Sequence, residues 1–489
     1  MRLVLLAVTL ARSGVSALSQ GDTNSYLEPG LNLLLHGRFF ADGVPDLVRP
    51  PGYPLFIAVT SLGGLPAAAA ANVILSVLSV ILVWRLGRTT FADGRVGLGA
   101  AWIFAFEPMS IALSFVLLSE TLFLALFLLS MERLAEFLRG RRLPVLAVAG
   151  LALTAATFVR PVAYYLPIAL AGGLFVLFAR VPGLRWKAPA VLLISVLPWL
   201  AAWQLRNRIE TGYSGFSSLK EVNLYFFSAV DITARLEHRP WLEVQRELGY
   251  TGFRNHSGQS YMYPNYLVLH PEQAGWSQGQ RLAYMHSQAV AVIRAHYRTY
   301  LGLCLIDTFK TIVDPGTWYF DHALLVYQDV PGQNTTSFQD VGLVRWGTQF
   351  AKAHPWAAVE KVVFAIATFG LYLLAVRGIV CGGGRSACLW LMLGTSLYFF
   401  AVSAAAAAAE SRYRLPVMPV VCIFAAAGFL RTKRPAPRNA SALPQISWPE
   451  NWHQDTLKFT FRAGGSCAIR YSSSKIEKYI LVRRTNRLV

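Results

Sequence analysis

The chain has 489 residues, of which 54% are hydrophobic and only 15% charged, with a positive mean hydropathy of +0.42; a soluble domain is about 25% charged. These values exclude a disordered protein, a coiled coil and an ordinary water-soluble enzyme, and they indicate an all-α polytopic membrane protein. The formal charge of +19 does not mark a nucleic-acid binder: the tail 431–489 alone holds twelve Lys/Arg against three Asp/Glu, and much of the remainder sits in short loops between apolar runs, where membrane topology demands it.

In chain order, apolar runs long enough to span a bilayer as helices lie near 2–18, 67–86, 96–113, 120–138, 144–160, 162–179, 188–205, 360–377, 386–404 and 414–430. This predicts about ten transmembrane helices, within a range of nine to twelve. The first run is short and carries Arg12. A secretory signal peptide competes with a retained helix there, and the want of a clear small-residue cleavage site favours the helix. The short loops on one side carry fifteen Lys/Arg, from Arg85 through Arg139, Arg180 and Arg377 to Arg438, with Asp93 as their only acid. That side is cytoplasmic by the positive-inside rule, and both termini then lie inside.

The predicted organisation has four parts. Residues 1–205 form an N-terminal transmembrane core of seven helices, with a first external loop at 19–66. Residues 206–359 form an external region. Its apolar segment 299–316 carries Asp307, Lys310 and Asp314 and reads as an interfacial or re-entrant helix. Residues 360–430 hold the C-terminal transmembrane helices, and 431–489 form a basic cytoplasmic tail in which LKFTFRAGGSCAIRYSSS reads as a short strand pair. The tail is a solvated appendage, or it is drawn to an anionic leaflet. The five cysteines, Cys304, Cys381, Cys388, Cys422 and Cys467, form no CxxC pair and no metal-ligand spacing, and they read as buried or lipid-facing thiols.

The chemistry-bearing residues fall on the external side. Asp22 lies just past the first helix, and Tyr26 shares its helix face. Arg49 opens the rigid stretch Pro50-Pro51-Gly52-Tyr53-Pro54, in which proline fixes the backbone and glycine permits close approach. Glu120 opens the fourth run. It is either a functional acid at membrane depth or a helix-start acid beside a Ser119 cap. Arg160 ends the fifth run; Arg206, Asn207 and Arg208 follow the interfacial Trp199 and Trp203; and Glu410, Ser411, Arg412, Tyr413 and Arg414 precede the last run. Topology disfavours arginine on this side, so each of these arginines asks for a reason. Each anchors to headgroups or binds phosphate with its guanidinium fork. Several of them opposite two carboxylates point to a phosphate-bearing ligand in the membrane plane. Tyr261, Tyr263, Tyr266 and Trp276 suit sugar stacking or an interface belt equally.

The stretches GDTNSY, RPPGYPLFIA, LLSETLF, TFVRPVA, PWLAAWQLRN, EVNLYFFSA and ESRYRLPVMP, in that order over residues 1–430, resemble the GT-C superfamily of integral membrane glycosyltransferases. The resemblance is to its family 39-like members, kin of the protein O-mannosyltransferases and the lipid A aminoarabinose transferase. It implies a catalytic N-terminal core and an inverting transfer, on the external face, of a sugar carried by a polyprenyl phosphate. Asp22 and Glu120 are then the catalytic acids, and Arg49, Arg160, Arg206 and Arg412 bind the donor phosphate. Tyr26, Gly52, Tyr53, Asn207, Asn223, Glu410 and Tyr413 contact substrate or shape the loops. Many members carry two adjacent acids in the first loop where this chain has Asp22-Thr23. No cofactor is expected except, where two such acids would hold it, a divalent metal ion. The expected partners are the lipid-linked donor, a lipid, glycan or protein acceptor, and membrane lipids, but no nucleic acid. A transporter or flippase of a lipid-linked or anionic substrate is the alternative, although no internal repeat is visible. A scaffolding membrane protein without catalysis would not need Asp22. The Ala-rich, Arg-over-Lys composition fits a bacterial inner membrane, with the site facing the periplasm. Asn334-Thr335-Thr336 matches a glycosylation sequon, too common a pattern to alter that reading.

Overall fold

The computed structural model describes residues 1–19, 22–41, 43–250, 263–323, 343–381, 387–405, 410–430, 456–459 and 469–472. Contacts divide the chain into two units, Met1–Ala436 and Pro437–Val489. Tyr261, Cys467 and the Asn334 sequon lie outside the described residues. The first unit is built of helices, the form in which an apolar run satisfies its own backbone without water.

Helices α1 (Arg2–Ser13), α2 (Thr23–His36) and α3 (Gly52–Thr60) open the chain, with a two-stranded hairpin, β1 (Phe40–Ala41) and β2 (Val44–Pro45), between the last two. There follow α4 (Leu65–Phe91), α5 (Gly94–Ala105), α6 (Pro108–Phe115), α7 (Glu120–Gly140), α8 (Leu143–Val159), α9 (Leu166–Leu177) and α10 (Leu184–Thr211). The region beyond holds α11 (Leu219–Asn223), a π turn at Leu224–Ser228, α12 (Ala229–Glu237), α13 (Trp241–Glu247), α14 (Tyr263–Leu269), α15 (Gln278–Ala295), α16 (Tyr297–Val313), α17 (Trp318–Ala323) and α18 (Leu343–Ala353). Helices α19 (Pro355–Cys381), α20 (Ala387–Ala405) and α21 (Met418–Phe429) complete the unit.

Among the described residues, α4, α10, α19 and α20 are long and apolar enough to cross a membrane, and α5 with α6, bent by 59°, adds a fifth if taken as one broken span. The other predicted runs form shorter or more charged helices, so ten continuous spans are not seen. The break has a local cause. Pro108 bars a continuous helix through its preceding residue, and Glu107 stays extended while its carboxylate accepts the Ser110 N–H at 2.5 Å. Helix α7 carries Glu132 and Arg133 in its C-terminal half, where Glu132 pairs with Arg85 and Arg133, each at 2.8 Å.

Helix α4 packs on α5 and α7, α7 on α8, α8 on α10 and α10 on α9. Helix α21 lies between α5 and α19. Helices α19 and α21 touch backbone to backbone, because a Cβ on Gly378 would strike the Phe424 carbonyl and one on Gly428 the Leu374 carbonyl. Small residues make such seams where lipid removes the hydrophobic drive for association. Phe123 and Phe127 of α7 meet Phe399 of α20 edge to face, at 6.0 and 5.0 Å between centroids.

Gly52 sets the height of the first loop. A Cβ there would stand 2.6 Å from the Phe158 carbonyl oxygen, so only glycine lets α3 start against the end of α8. Gly52→Val is expected to destabilise the protein by about 1–3 kcal/mol, read as a lowered melting temperature in detergent; an unchanged Tm would show that the loop adapts freely.

Beyond α10, residues including Val222, Phe226, Tyr266, Leu282 and Met285 bury one another and hold Leu47 and Val48 of the first loop. Helix α16 is tied at both ends to one stretch of chain. Tyr300 donates to the Ala405 carbonyl at 2.8 Å, and Arg414 donates to the carbonyls of Ile312, Asp314 and Pro315. In the second unit, β3 (Thr456–Phe459) and β4 (Ile469–Ser472) pair antiparallel, with Leu457 opposite Tyr471. Cys304, Cys388 and Cys422 are free thiols.

Candidate active site

Two hydrogen bonds to the Leu117 backbone carry Asp22 to Glu120. The extended stretch between α6 and α7 donates its Leu117 N–H to the Leu18 carbonyl at 2.9 Å. The Leu117 carbonyl accepts the Thr23 hydroxyl at 3.0 Å. Asp22 stands at the N-cap of α2 but makes no side-chain cap bond, so its carboxylate is left for other partners. Ser119 is in the same position before α7 and also does not cap. Its hydroxyl lies 3.2 Å from that of Tyr26.

Arg49 is placed from its backbone outward. Asp46 accepts the Val48 and Arg49 amides at 2.7 and 3.4 Å, closing a tight turn. The Ser217 hydroxyl and the Ser218 amide donate to the Val48 and Leu47 carbonyls. The guanidinium then donates from all three nitrogens: Nε to Ser25 at 3.1 Å, Nη1 to Tyr26 at 3.2 Å and Nη2 to Asp22 Oδ1 at 2.9 Å. It also lies over the Tyr26 ring, 4.5 Å from the centroid. Tyr53, fully buried, packs edge-on against that ring at 4.8 Å.

The second side of the cluster comes from chain ends far away in sequence. Arg160 ends α8 in an extended conformation, as the following Pro161 requires, and its Nη1 pairs with Glu120 Oε1. Arg412 lies on the 3₁₀ turn Ser411–Arg414. Its Nη1 bridges Asp22 Oδ2 at 3.1 Å and Glu120 Oε1 at 3.6 Å, and its Nε pairs with Glu410. The Arg160 and Arg412 guanidinium carbons lie 5.8 and 5.5 Å from the centroid of the Tyr413 ring. Burial by itself would raise the Asp22 carboxyl, but Arg49 and Arg412 outweigh it and hold its pKa at about 2. Asp22 is therefore ionised at any physiological pH.

The structure thus brings together Asp22, Tyr26, Arg49, Glu120, Arg160, Glu410, Arg412 and Tyr413. Arg206 stands apart. Its guanidinium donates to the Phe39 and Asp46 carbonyls at 2.9 and 3.2 Å and pairs with Glu210 at 2.9 Å, clamping the first loop from behind. Asn207 accepts from Arg206 and donates to the Gly215 and Phe216 carbonyls, fastening the chain after α10. Asn223 ends α11, half-buried. Ser25, Thr23 and Ser217 were not singled out from the sequence, because their contribution is a long-range hydrogen bond with no local pattern.

A small cavity, of about 10 Å³, lies beside the cluster. Glu120, Arg160, Arg412 and Tyr413 form its polar wall, and Phe123, Val162, Phe399, Leu415 and Pro416 its apolar one. Among the described residues no group of three His, Cys, Asp or Glu side chains is placed to hold a metal ion. The acids present also do not fit one: the Asp22 oxygens meet Arg49 and Arg412, and Glu120 meets Arg160 and the same Arg412, so a divalent cation there would face arginines at close range.

No family model and no curated protein matches the chain. Among solved structures it is similar to ArnT from Cupriavidus metallidurans bound to undecaprenyl phosphate, at 15% identity over 87% of this chain and 76% of that chain, with a TM-score of 0.35. It is also similar to the oligosaccharyltransferase AglB from Archaeoglobus fulgidus in complex with an inhibitory peptide and a dolichol-phosphate, at 14% identity and a TM-score of 0.42, covering 88% of this chain and 50% of that chain. The chain thus spans half the length of the archaeal enzyme.

Proposed function

We propose that the chain is an inverting GT-C-type glycosyltransferase that moves a sugar from a polyprenyl-phosphate donor to an acceptor hydroxyl on the external, periplasmic face of a bacterial inner membrane. The observation that carries this reading is the convergence of Arg49, Arg160 and Arg412 on Asp22 and Glu120 beside a cavity with an apolar wall. Guanidinium groups beside an apolar wall suit a ligand with a phosphate head and a hydrocarbon tail. The lipid phosphates bound in the two similar structures, undecaprenyl phosphate and dolichol-phosphate, are of that chemistry.

The reaction needs little else. The acceptor oxygen attacks the anomeric carbon, the bond from that carbon to the phosphate oxygen breaks, and the acceptor proton passes to a carboxylate. Asp22 is the base in this reading, and Glu120 holds Arg160 and Arg412 in place. The leaving group departs as a lipid phosphate dianion, which asks for cationic stabilisation and not for a general acid. The same arginines govern the base. A phosphate seated beside Arg49 or Arg412 offsets part of their positive charge at Asp22, and its carboxylate becomes more basic as the donor seats.

The test is a transfer assay on purified protein with a panel of labelled polyprenyl-phosphate sugars and membrane extract as acceptor. Transfer from one donor supports the reading and identifies the sugar; specific lipid-phosphate binding without transfer from any donor would favour a flippase. Topology is checked separately. A cysteine at the half-exposed Glu237 is expected to label from outside intact cells, and one at the exposed Arg95 only after permeabilisation. The reverse pattern would place the cluster on the cytoplasmic face.

A further inference from the structure

This inference rests on the lipid-phosphate donor proposed above. At rest the site holds three carboxylates, Asp22, Glu120 and Glu410, against three guanidinium groups, Arg49, Arg160 and Arg412. The cluster is therefore neutral within itself, and a phosphate that engages one of these guanidinium groups competes with a carboxylate for it. The three acids are not equally displaceable. The Glu120 side chain is 3% exposed and that of Asp22 15%, whereas that of Glu410 is 48% exposed. Withdrawing a buried acid strands a charge in the interior; withdrawing Glu410 returns it to water, and a pair this exposed is weak.

Position agrees with exposure. Asp22 and Glu120 both engage Nη1 of Arg412, while Glu410 pairs with Nε. Arg412 also forms part of the polar wall of the cavity, so a phosphate entering with its lipid meets this guanidinium. Carboxylate and phosphate present oxygens to a guanidinium edge in like geometry.

We propose that Glu410 is a built-in stand-in for the donor phosphate: it occupies the Nε edge of Arg412 at rest, yields it when the lipid phosphate arrives, and competes for it again as the product leaves. The acid thereby keeps Arg412 aimed at Asp22 in the empty site and lowers the affinity for lipid phosphate.

The experiment titrates the full chain in detergent micelles with polyprenyl monophosphate, inorganic phosphate and phosphate-free polyprenol in separate arms, read by tryptophan fluorescence. Glu410→Gln and Glu410→Ala are each expected to bind polyprenyl monophosphate about three- to fivefold more tightly than wild type. The gain is expected to vanish in an Arg412→Ala background, and the control Glu237→Gln, which removes a similarly exposed acid held by Arg239, is expected to bind as wild type does. Wild-type affinity in both Glu410 variants, or an equal gain in Glu237→Gln, would overturn the stand-in role while leaving the donor reading intact. A gain for inorganic phosphate alone would overturn it for the lipid. If no protein prefers polyprenyl monophosphate to polyprenol, the donor reading itself fails, and this inference with it.

Discussion

Asp22→Asn is expected to lower transfer by about 10²- to 10⁴-fold, the usual contribution of a positioned general base, with little loss of folded protein. The substitution keeps shape and removes charge. Asn can still accept the Arg49 bond, and the arginines keep their other partners: Ser25 and Tyr26 for Arg49, Glu120 and Glu410 for Arg412. The bundle around them is therefore expected to hold, which a size-exclusion profile and a melting curve check. Single-turnover transfer from the identified donor gives the chemical step free of binding. Full activity in the purified variant would remove Asp22 from the base role. Glu120→Gln then decides between the two acids: if it alone abolishes the chemical step while Asp22→Asn does not, the base is Glu120.

Arg412→Ala is expected to cost about 10²- to 10³-fold in the rate of transfer and to weaken donor binding as well. Among the described residues Arg412 is the group that touches both Asp22 and Glu120, and it also faces the cavity. Its loss removes positive charge at the point where the leaving phosphate gains negative charge, and it leaves two buried acids sharing fewer cations. Arg412→Lys is expected to restore only part of the activity, because an ammonium is a single point of charge and cannot span three acids as the guanidinium fork does. The control is Arg95→Ala, whose side chain is exposed and pairs only locally with Asp93. Equal losses in Arg412→Ala and Arg95→Ala would mean that the external arginines only anchor the protein to headgroups.

Arg414, two residues further on, shows how the 3₁₀ turn divides its labour. It is buried and donates to the Ile312, Asp314 and Pro315 carbonyls, fixing the end of α16, while Arg412 faces the acids. From the string SRYR alone the two arginines are equivalent. Their separation arises because a 3₁₀ turn places residues two apart on different sides. The same contrast holds for Arg206 and Arg160. Both are arginines near a helix end, yet one clamps the carbonyls of the first loop and the other pairs with Glu120. Glu120 carried a double reading, as a functional acid or as a helix-start acid beside a Ser119 cap. Ser119 stands at the cap position, but its hydroxyl goes to Tyr26 instead of the helix amides.

What the amino-acid sequence determined by itself is what local composition can carry. Runs of apolar residues dictate helices in a membrane, because lipid leaves the backbone no other partner. The uneven placement of lysine and arginine predicts which loops stay inside. Arginines left on the opposite side, and an acid just past the first helix, were legible as residues in need of a function. Their pairing was not. Asp22 and Arg412 lie 390 residues apart, and no pattern in the chain says that the loop before α21 packs against the start of α2. That contact follows from which helices stand side by side, and so from close approaches such as Gly52 on Phe158 and Gly378 on Phe424. Hydropathy and charge act along the chain, but ion pairs act across a few ångströms of space. Only the packed bundle decides which guanidinium meets which carboxylate.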